Sequence, residues 1–349
     1  MSNQRRPIFQ PNELSNATVV SMRTRIIVAL IAMVIVIPPV IFGDWAIFGL
    51  VCLCCGIGVI EIIRCAKTKY SKALYIISFI LAILILMWPI FRAIPDMHEG
   101  WRIFDAYKDG IYVSATILFV GIGLSAITVI VDKNFTIIDA CFVFTTVFMI
   151  AFGFQCALFL RYYPMYAKDL AVFKETGVEN YCKSLPYFNS FVNLESCLLV
   201  MFAAVGACLN DAFAYFVGIF FGRNKMNERL SPKKTWEGFV GGVLLTAMAL
   251  TGAALAFSFG GHPILKGVVD HEHWWHIVIL SFLIPLVSTG GDLFFSAIKR
   301  HYGIKDFSNI MPGHGGILDR CDSLLFSIIT VAVYVCIFAN QAAGGIHLP

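Results

Sequence analysis

Runs of about 18 or more mostly apolar residues recur along the whole chain, and each is long enough to cross a hydrocarbon core roughly 30 Å thick as a helix. They fall at residues 25–42, 43–63, 73–91, 111–131, 136–160, 191–222, 239–260, 277–298 and 324–342. Only 14% of the 349 residues are charged and 58% are hydrophobic, whereas a soluble domain carries about 25% charged residues. A soluble fold is excluded, and no stretch is left over for a separate soluble domain. The expected fold class is an all-α polytopic membrane protein with about nine transmembrane helices. The first run follows a basic arm but lacks a small-residue cleavage site, which predicts an uncleaved first helix rather than a signal peptide.

Lys and Arg are unevenly shared between the two sides. Arg5, Arg6, Arg23 and Arg25, then Arg64, Lys67, Lys69 and Lys72, then Lys133, and above all the segments around 223–238 and 299–323 place most of them on one side. By the positive-inside rule that side is cytoplasmic, so the N-terminus is inside and the C-terminus outside. Residues 323–349 contain no Asp, Glu, Lys or Arg, which suits a last span that ends outside. The outer loops 92–110, 161–190 and 262–276 mix charges without pattern. His271, His273 and His276 in the last of these suggest a metal site, but a solvated interfacial loop explains them equally well. The eleven cysteines lie almost all in apolar runs, where a thiol packs as a small hydrophobe; Cys182 is in a polar loop.

Ionisable groups within a span are expensive and therefore candidates for function. Asp211 is roughly 16 Å of helix above the inner end of its span, and Asp292 roughly 10 Å deep in its own. Asp292, Ser296 and Lys299 follow at i, i+4 and i+7, and so share a helix face. Asp211, Tyr215, Gly218 and Gly222 form a second stripe whose glycines permit close helix packing. In the loop 223–238, Ser231 is positioned as an N-cap and Pro232 as a first helical residue. Exposed helix amides with Lys233 and Lys234 would make a phosphate site; a positive-inside anchor is the alternative. Farther on, Pro312–Gly316 reads PGHGG, a turn whose glycines can bring backbone N–H groups to a ligand. Asp319 and Asp322 follow on one helical face, with Arg320 between them. Magnesium prefers one or two carboxylates plus phosphate oxygens, and nearby Lys and Arg side chains supply what those phosphates need. There is no P-loop, kinase signature or G-x-S-x-G elbow. Phosphoryl or nucleotidyl transfer needs no covalent nucleophile from the protein when a substrate phosphate attacks.

The series Ser296, Lys299-Arg300, Lys305-Asp306, Pro312-Gly313-His314-Gly315-Gly316, Asp319-Arg320 and Asp322 resembles the signature of phosphatidate cytidylyltransferases, the CDP-diacylglycerol synthases. Asp211, Ala214, Tyr215, Gly218, Gly222, Arg223 and the run Ser231–Gly238 extend the likeness, which covers about residues 205–325 and looks bacterial in type. The resemblance implies a multi-pass inner-membrane enzyme, its active site on the cytoplasmic side, that joins CTP and phosphatidic acid with magnesium and releases pyrophosphate. A second cation is left open. It implies catalytic roles for Lys299, Arg300, Asp319 and Asp322. Substrate binding would fall to Ser231, Lys233, Lys234, Ser296, Lys305, His314, Gly315, Gly316 and Arg320. Asp292, Asp319 and Asp211 would be metal ligands. The chain is then one integral membrane domain over 1–349, with N-terminal transmembrane helices in 1–190 and a catalytic region in 191–349 that carries the loops 223–238 and 299–323. The partners are CTP, phosphatidic acid and the bilayer, with no nucleic acid, and a homodimer by resemblance only. The rivals are a CTP-dependent lipid kinase of the dolichol or phytol type and a transporter for a phosphorylated solute. The kinase would release CDP; the transporter would need polar groups continuing to the outer face.

Overall fold

The computed structural model describes residues 16–66, 72–92, 111–131, 135–176, 194–311, 313 and 315–342. The N-terminal basic arm, the loop 93–110 and the segment 177–193, with Cys182, lie outside the described residues. The described residues form helices joined by loops and one short hairpin. The helices are α1 (Asn16–Phe42), α2 (Asp44–Cys65), α3 (Lys72–Arg92), α4 (Ile111–Val131), α5 (Ile137–Thr176), α6 (Leu194–Phe221), α7 (Trp236–Phe259), α8 (Trp274–His301) and α9 (Leu318–Ala342). Antiparallel strands β1 (Lys225–Asn227) and β2 (Ser231–Thr235) join α6 to α7. Six of the helices, α2 and α5 to α9, contain a segment long and apolar enough to cross a membrane, while α1, α3 and α4 carry shorter apolar stretches.

The polytopic class stands, with two local corrections. No helix begins at Ser231: Ser231–Thr235 is strand, and α7 starts at Trp236 with Thr235 as its N-cap, the Thr235 hydroxyl accepting from the Gly238 N–H at 3.1 Å. Pairing with β1 outweighs the local Ser-Pro signal. The outer loop expected at 161–190 is in large part helix, because α5 continues to Thr176. Its Arg161, assigned to that loop, is instead completely buried. The reason is in α1. Helix carbonyls at a C-terminus lack intrahelical donors, and those of Val40 and Ile41 accept from Arg161 Nε (2.7 Å) and Nη2 (3.0 Å). Gly43, at φ 76°, turns the chain from α1 into α2, and a Cβ there would lie 2.9 Å from Arg161 Nη2.

Two apolar cores result. One joins α2, α3, α5, the last turns of α8, Phe307 and the first turns of α9; the other joins α5 to α9 with the 264–269 loop, so α5 belongs to both. The α6–α7 seam is as close as the glycine stripe predicts: a Cβ on Gly242 would lie 2.8 Å from that of Ala214, and one on Gly218 would lie 3.2 Å from Thr235 Oγ1. All the cysteines among the described residues are free thiols, as their apolar settings predict.

At the end of the bundle away from the hairpin, the three loop histidines do not converge. His271 Nδ1 meets Ser258 Oγ (2.9 Å), His273 Nδ1 meets Asp270 Oδ1 (2.9 Å) and His276 Nδ1 meets the Tyr334 hydroxyl (2.6 Å). Asp270, Glu272 and His273 bring ligand atoms within 4.8 Å of one another. However, the Asp270 oxygens are engaged by the backbone N–H groups of Gly267 (2.5 Å) and His273 (2.8 Å) as well as by the ring, so this is a loop brace. Burial pushes the Asp270 carboxyl up, but these hydrogen bonds outweigh it and hold the group below the ordinary carboxylate range. A depressed carboxylate stabilises the fold above its unfolded pKa of about 3.9, and that contribution is lost as pH falls through the lower folded value.

Two measurements follow from these contacts. Thermal unfolding in detergent should show Arg161→Met destabilised by about 3 kcal/mol, since two buried carbonyls lose a charged donor. Between pH 5 and the acid limit, Asp270→Asn should lose less stability than the wild type over the same titration.

Candidate active site

The site lies at the hairpin end, where α8 finishes and α9 begins. Asp319 is in the first turn of α9. Its Oδ2 accepts from the N–H groups of Gly316 (2.9 Å) and Phe307 (2.8 Å), and its Oδ1 receives Lys299 Nζ at 2.9 Å. One carboxylate therefore joins α8, the loop after it and the Gly-rich turn. Asp322, one turn on, brings Oδ2 to 3.7 Å from the same amine, and its Oδ1 accepts from the Ser323 N–H at 2.8 Å. Lys299 is only 8% exposed, and a buried charge is tolerated when it is paired; here it has two anions, with the Phe307 ring 5.4 Å from Nζ.

A second cluster is adjacent. Asp292 pairs with Lys234 from β2, and Ser296 Oγ approaches the other Asp292 oxygen at 3.4 Å. The i, i+4, i+7 face of α8 is thus real, but Asp292 takes its cation from the hairpin, not from Lys299. Lys234 is half-buried against Asp292, whereas Lys233 is exposed. Asp211, on α6, accepts from Ser323 Oγ at 3.3 Å, and Asp211, Asp292 and Asp322 lie within electrostatic range of one another. Their oxygens do not close into a cage, since among the described residues no triad here falls within 4.8 Å. Three hard oxygen ligands from three helices still suit magnesium, which binds one or two carboxylates and keeps waters or phosphate oxygens for the rest. Asp292, Asp319 and Asp322 already face lysines, so each would hold a cation in exchange for Lys234 or Lys299.

The remaining predicted residues divide. Ser231 is half-buried within the hairpin. Arg300 is exposed and donates to the Leu230 carbonyl (Nε, 3.4 Å) and the Ile304 carbonyl (Nη1, 3.1 Å), which ties the hairpin to the end of α8. Lys305 and Arg320 are exposed at the rim, Arg320 within range of Asp211. His314 lies outside the described residues. Two amides of the Gly-rich turn are already engaged. Gly315 and Met311 exchange backbone hydrogen bonds at 3.0 and 3.1 Å, and the Gly316 N–H goes to Asp319. Gly313 and Gly315 have φ of 76° and 85°, which glycine adopts without a Cβ clash.

Two acidic residues received no role in the sequence reading. Glu237 accepts from the N–H groups of Arg223 and Asn224 at 3.1 Å each and from Asn224 Nδ2 at 2.7 Å, anchoring the start of the hairpin. Glu61, in α2 and 2% exposed, accepts from Ser308 Oγ and from the N–H groups of Ile317 and Leu318. Its signal was available: it is an acidic residue inside the apolar run 43–63.

The cytidylyltransferase family matches residues 23–338. This chain belongs to that family. A relative in Bacillus subtilis (strain 168), named phosphatidate cytidylyltransferase, is 28% identical over 307 residues, 88% of this chain and 95% of the relative. A protein of the same name in Staphylococcus epidermidis is 29% identical over 306 residues, 87% of this chain and 95% of its own length. Another in Aquifex aeolicus is 40% identical over 131 residues, 38% of this chain and 44% of the relative. Membership in the cytidylyltransferase family makes the paired lysines and carboxylates the place to look for chemistry on phosphates.

Lys299→Met would leave two buried carboxylates without their cation. Thermal unfolding should show a loss of about 3 kcal/mol, against a change within about 0.5 kcal/mol for Lys305→Met at the exposed rim.

Proposed function

We propose that the chain transfers the cytidylyl group of CTP to phosphatidic acid, giving CDP-diacylglycerol and pyrophosphate. It is a nucleotidyltransferase of phospholipid synthesis. The observation that carries the proposal is the gathering of Lys234, Lys299, Asp211, Asp292, Asp319 and Asp322 at one end of an apolar bundle, in a chain whose full-length relatives bear that enzyme's name.

An oxygen of the phosphatidate phosphate attacks the α-phosphorus of CTP; the bond from that phosphorus to the β-bridging oxygen breaks, and pyrophosphate leaves. The second ionisation of a phosphate monoester lies near pH 6, so the nucleophile is already anionic at neutrality and no strong base is required. Lys234 and Lys299 are the inner cations for the substrate phosphates. Arg300, Lys305 and Arg320 lie outside them, suited to CTP and the departing pyrophosphate. Lys233, Ser231, Ser296, His314, Gly315 and Gly316 complete the proposed binding surface. Magnesium, when bound, neutralises charge on the reacting phosphate oxygens. Asp292, Asp211 and Asp322 are its proposed ligands, with Asp319 in exchange for Lys299; a second cation is compatible with four carboxylates.

The proposed topology has nine spans, an inner N-terminus, an outer C-terminus and the site on the cytoplasmic side of the inner membrane, where CTP is available while phosphatidate arrives from the lipid. One integral domain contains both 1–190 and the catalytic region 191–349, and a homodimer is proposed on family resemblance alone.

Purified protein in detergent with magnesium should release pyrophosphate from CTP only when phosphatidic acid is present. EDTA should abolish release, and Asp319→Asn should lower kcat by about 100-fold or more. Release of CDP in place of pyrophosphate would instead identify a lipid kinase.

A further inference from the structure

The geometry points to Glu61 as a positioning residue for this reaction, supplied by the N-terminal half of the chain. Glu61 is on α2, and its partners are 247 to 257 residues away. Oε1 accepts from Ser308 Oγ at 2.5 Å and from the Ile317 N–H at 3.0 Å; Oε2 accepts from the Leu318 N–H at 2.8 Å. Ile317 and Leu318 begin α9, where N–H groups have no intrahelical acceptor and the helix dipole favours an anion. The carboxylate therefore caps the helix that carries Asp319 and Asp322, and through Ser308 it also holds the loop that carries Lys305.

Gly316 supports the assignment independently. A Cβ there would collide with the Glu61 carboxylate, and a Cβ on Gly315 would lie 2.8 Å from Asp319 Oδ2. The two glycines at the end of the turn thus leave room for two carboxylates. Glu61 and Asp319 grip the turn from opposite sides, Glu61 through Ile317 and Leu318, Asp319 through Gly316. Removing the outer grip leaves the inner one to fix the start of α9, and displacement of reacting groups by about 1 Å can cost about 100-fold in rate. Glu61 touches no reacting atom in this arrangement; it acts by fixing where Asp319 and Asp322 stand.

The proposal rests on the site being the cytidylyl-transfer centre, so its test has two readouts. Glu61→Gln keeps volume and one acceptor oxygen but turns an amide NH2 toward a backbone donor. Hydrogen exchange across 307–318 should become about tenfold faster, with α6 and α7 unchanged. In the pyrophosphate assay kcat should fall about tenfold or more, while KM for CTP and for phosphatidic acid stays within about threefold. A purely structural cap would lower the melting temperature and leave kcat of the folded fraction alone, and that result would overturn the assignment. Ser308→Ala removes one bond without emptying the pocket and covers the case in which Glu61→Gln does not fold. It should lower kcat about two- to fivefold, and an unchanged kcat there would equally sink the idea. A wild-type protein that releases no pyrophosphate would count against the reaction itself, whereas exchange rates would still report whether Glu61 grips the turn.

Discussion

A charge carried into an apolar bundle persists only if both its sign and its hydrogen-bonding capacity are met, and Asp319 meets both. Lys299 answers its charge, and the N–H groups of Phe307 and Gly316 fill the second oxygen. None of the three partners is adjacent to it in sequence, so meeting the needs of one carboxylate fixes the end of α8, the loop, the turn and the start of α9 relative to one another. The aromatic contacts of Phe307 with Phe295, 5.9 Å between centroids and perpendicular, then close the apolar side of the same junction.

In the proposed reaction, the same ion pairs would let the site take up phosphates. Lys234 and Lys299 rest against Asp292, Asp319 and Asp322, so neither lysine is buried unpaired when no substrate is bound. A lysine ammonium is a point charge on a flexible stem; it can turn from a carboxylate to a phosphate with little movement of the backbone. In the proposed reaction, a carboxylate released in that exchange would be free to hold a divalent cation. In the Gly-rich turn, the amides of Gly315 and Gly316 already have acceptors in Met311 and Asp319.

What could be read from sequence follows the range of the interactions concerned. The helices α2 and α5 to α9 were legible because hydropathy is a local sum, and the Asp292, Ser296, Lys299 face was legible because i, i+4, i+7 spacing is local too. The family signature brought Asp319, Arg320 and Asp322 into view for the same reason. Lys234 against Asp292 was not legible, since it depends on a hairpin strand whose Ser-Pro start imitates a helix cap. Arg161 was assigned to a loop because it directly follows an apolar run, but its guanidinium meets the orphan carbonyls of Val40 and Ile41, more than a hundred residues away. Glu61 broke a rule that was available, that an acid inside a span has a purpose, but its partners could not be named without the fold.

These long-range polar contacts also show what α1 to α5 contribute. An apolar helix facing lipid is constrained mainly in volume and hydropathy, so many sequences serve and few positions are specific. Specificity enters where a polar group must be met: Arg161 at the end of α1, the capping box of Thr136 and Asp139 at the start of α5 (3.0 and 3.3 Å), and Glu61 beneath the turn. Two of these hold helices of the N-terminal half in place, and the third reaches out of it to the first turn of α9. The N-terminal helices therefore do more than fill space around the charged residues of α6 to α9. They supply the carboxylate against which the start of α9 is set, and a helix start set to within a fraction of an ångström is what a site built from Asp319, Asp322 and Lys299 requires.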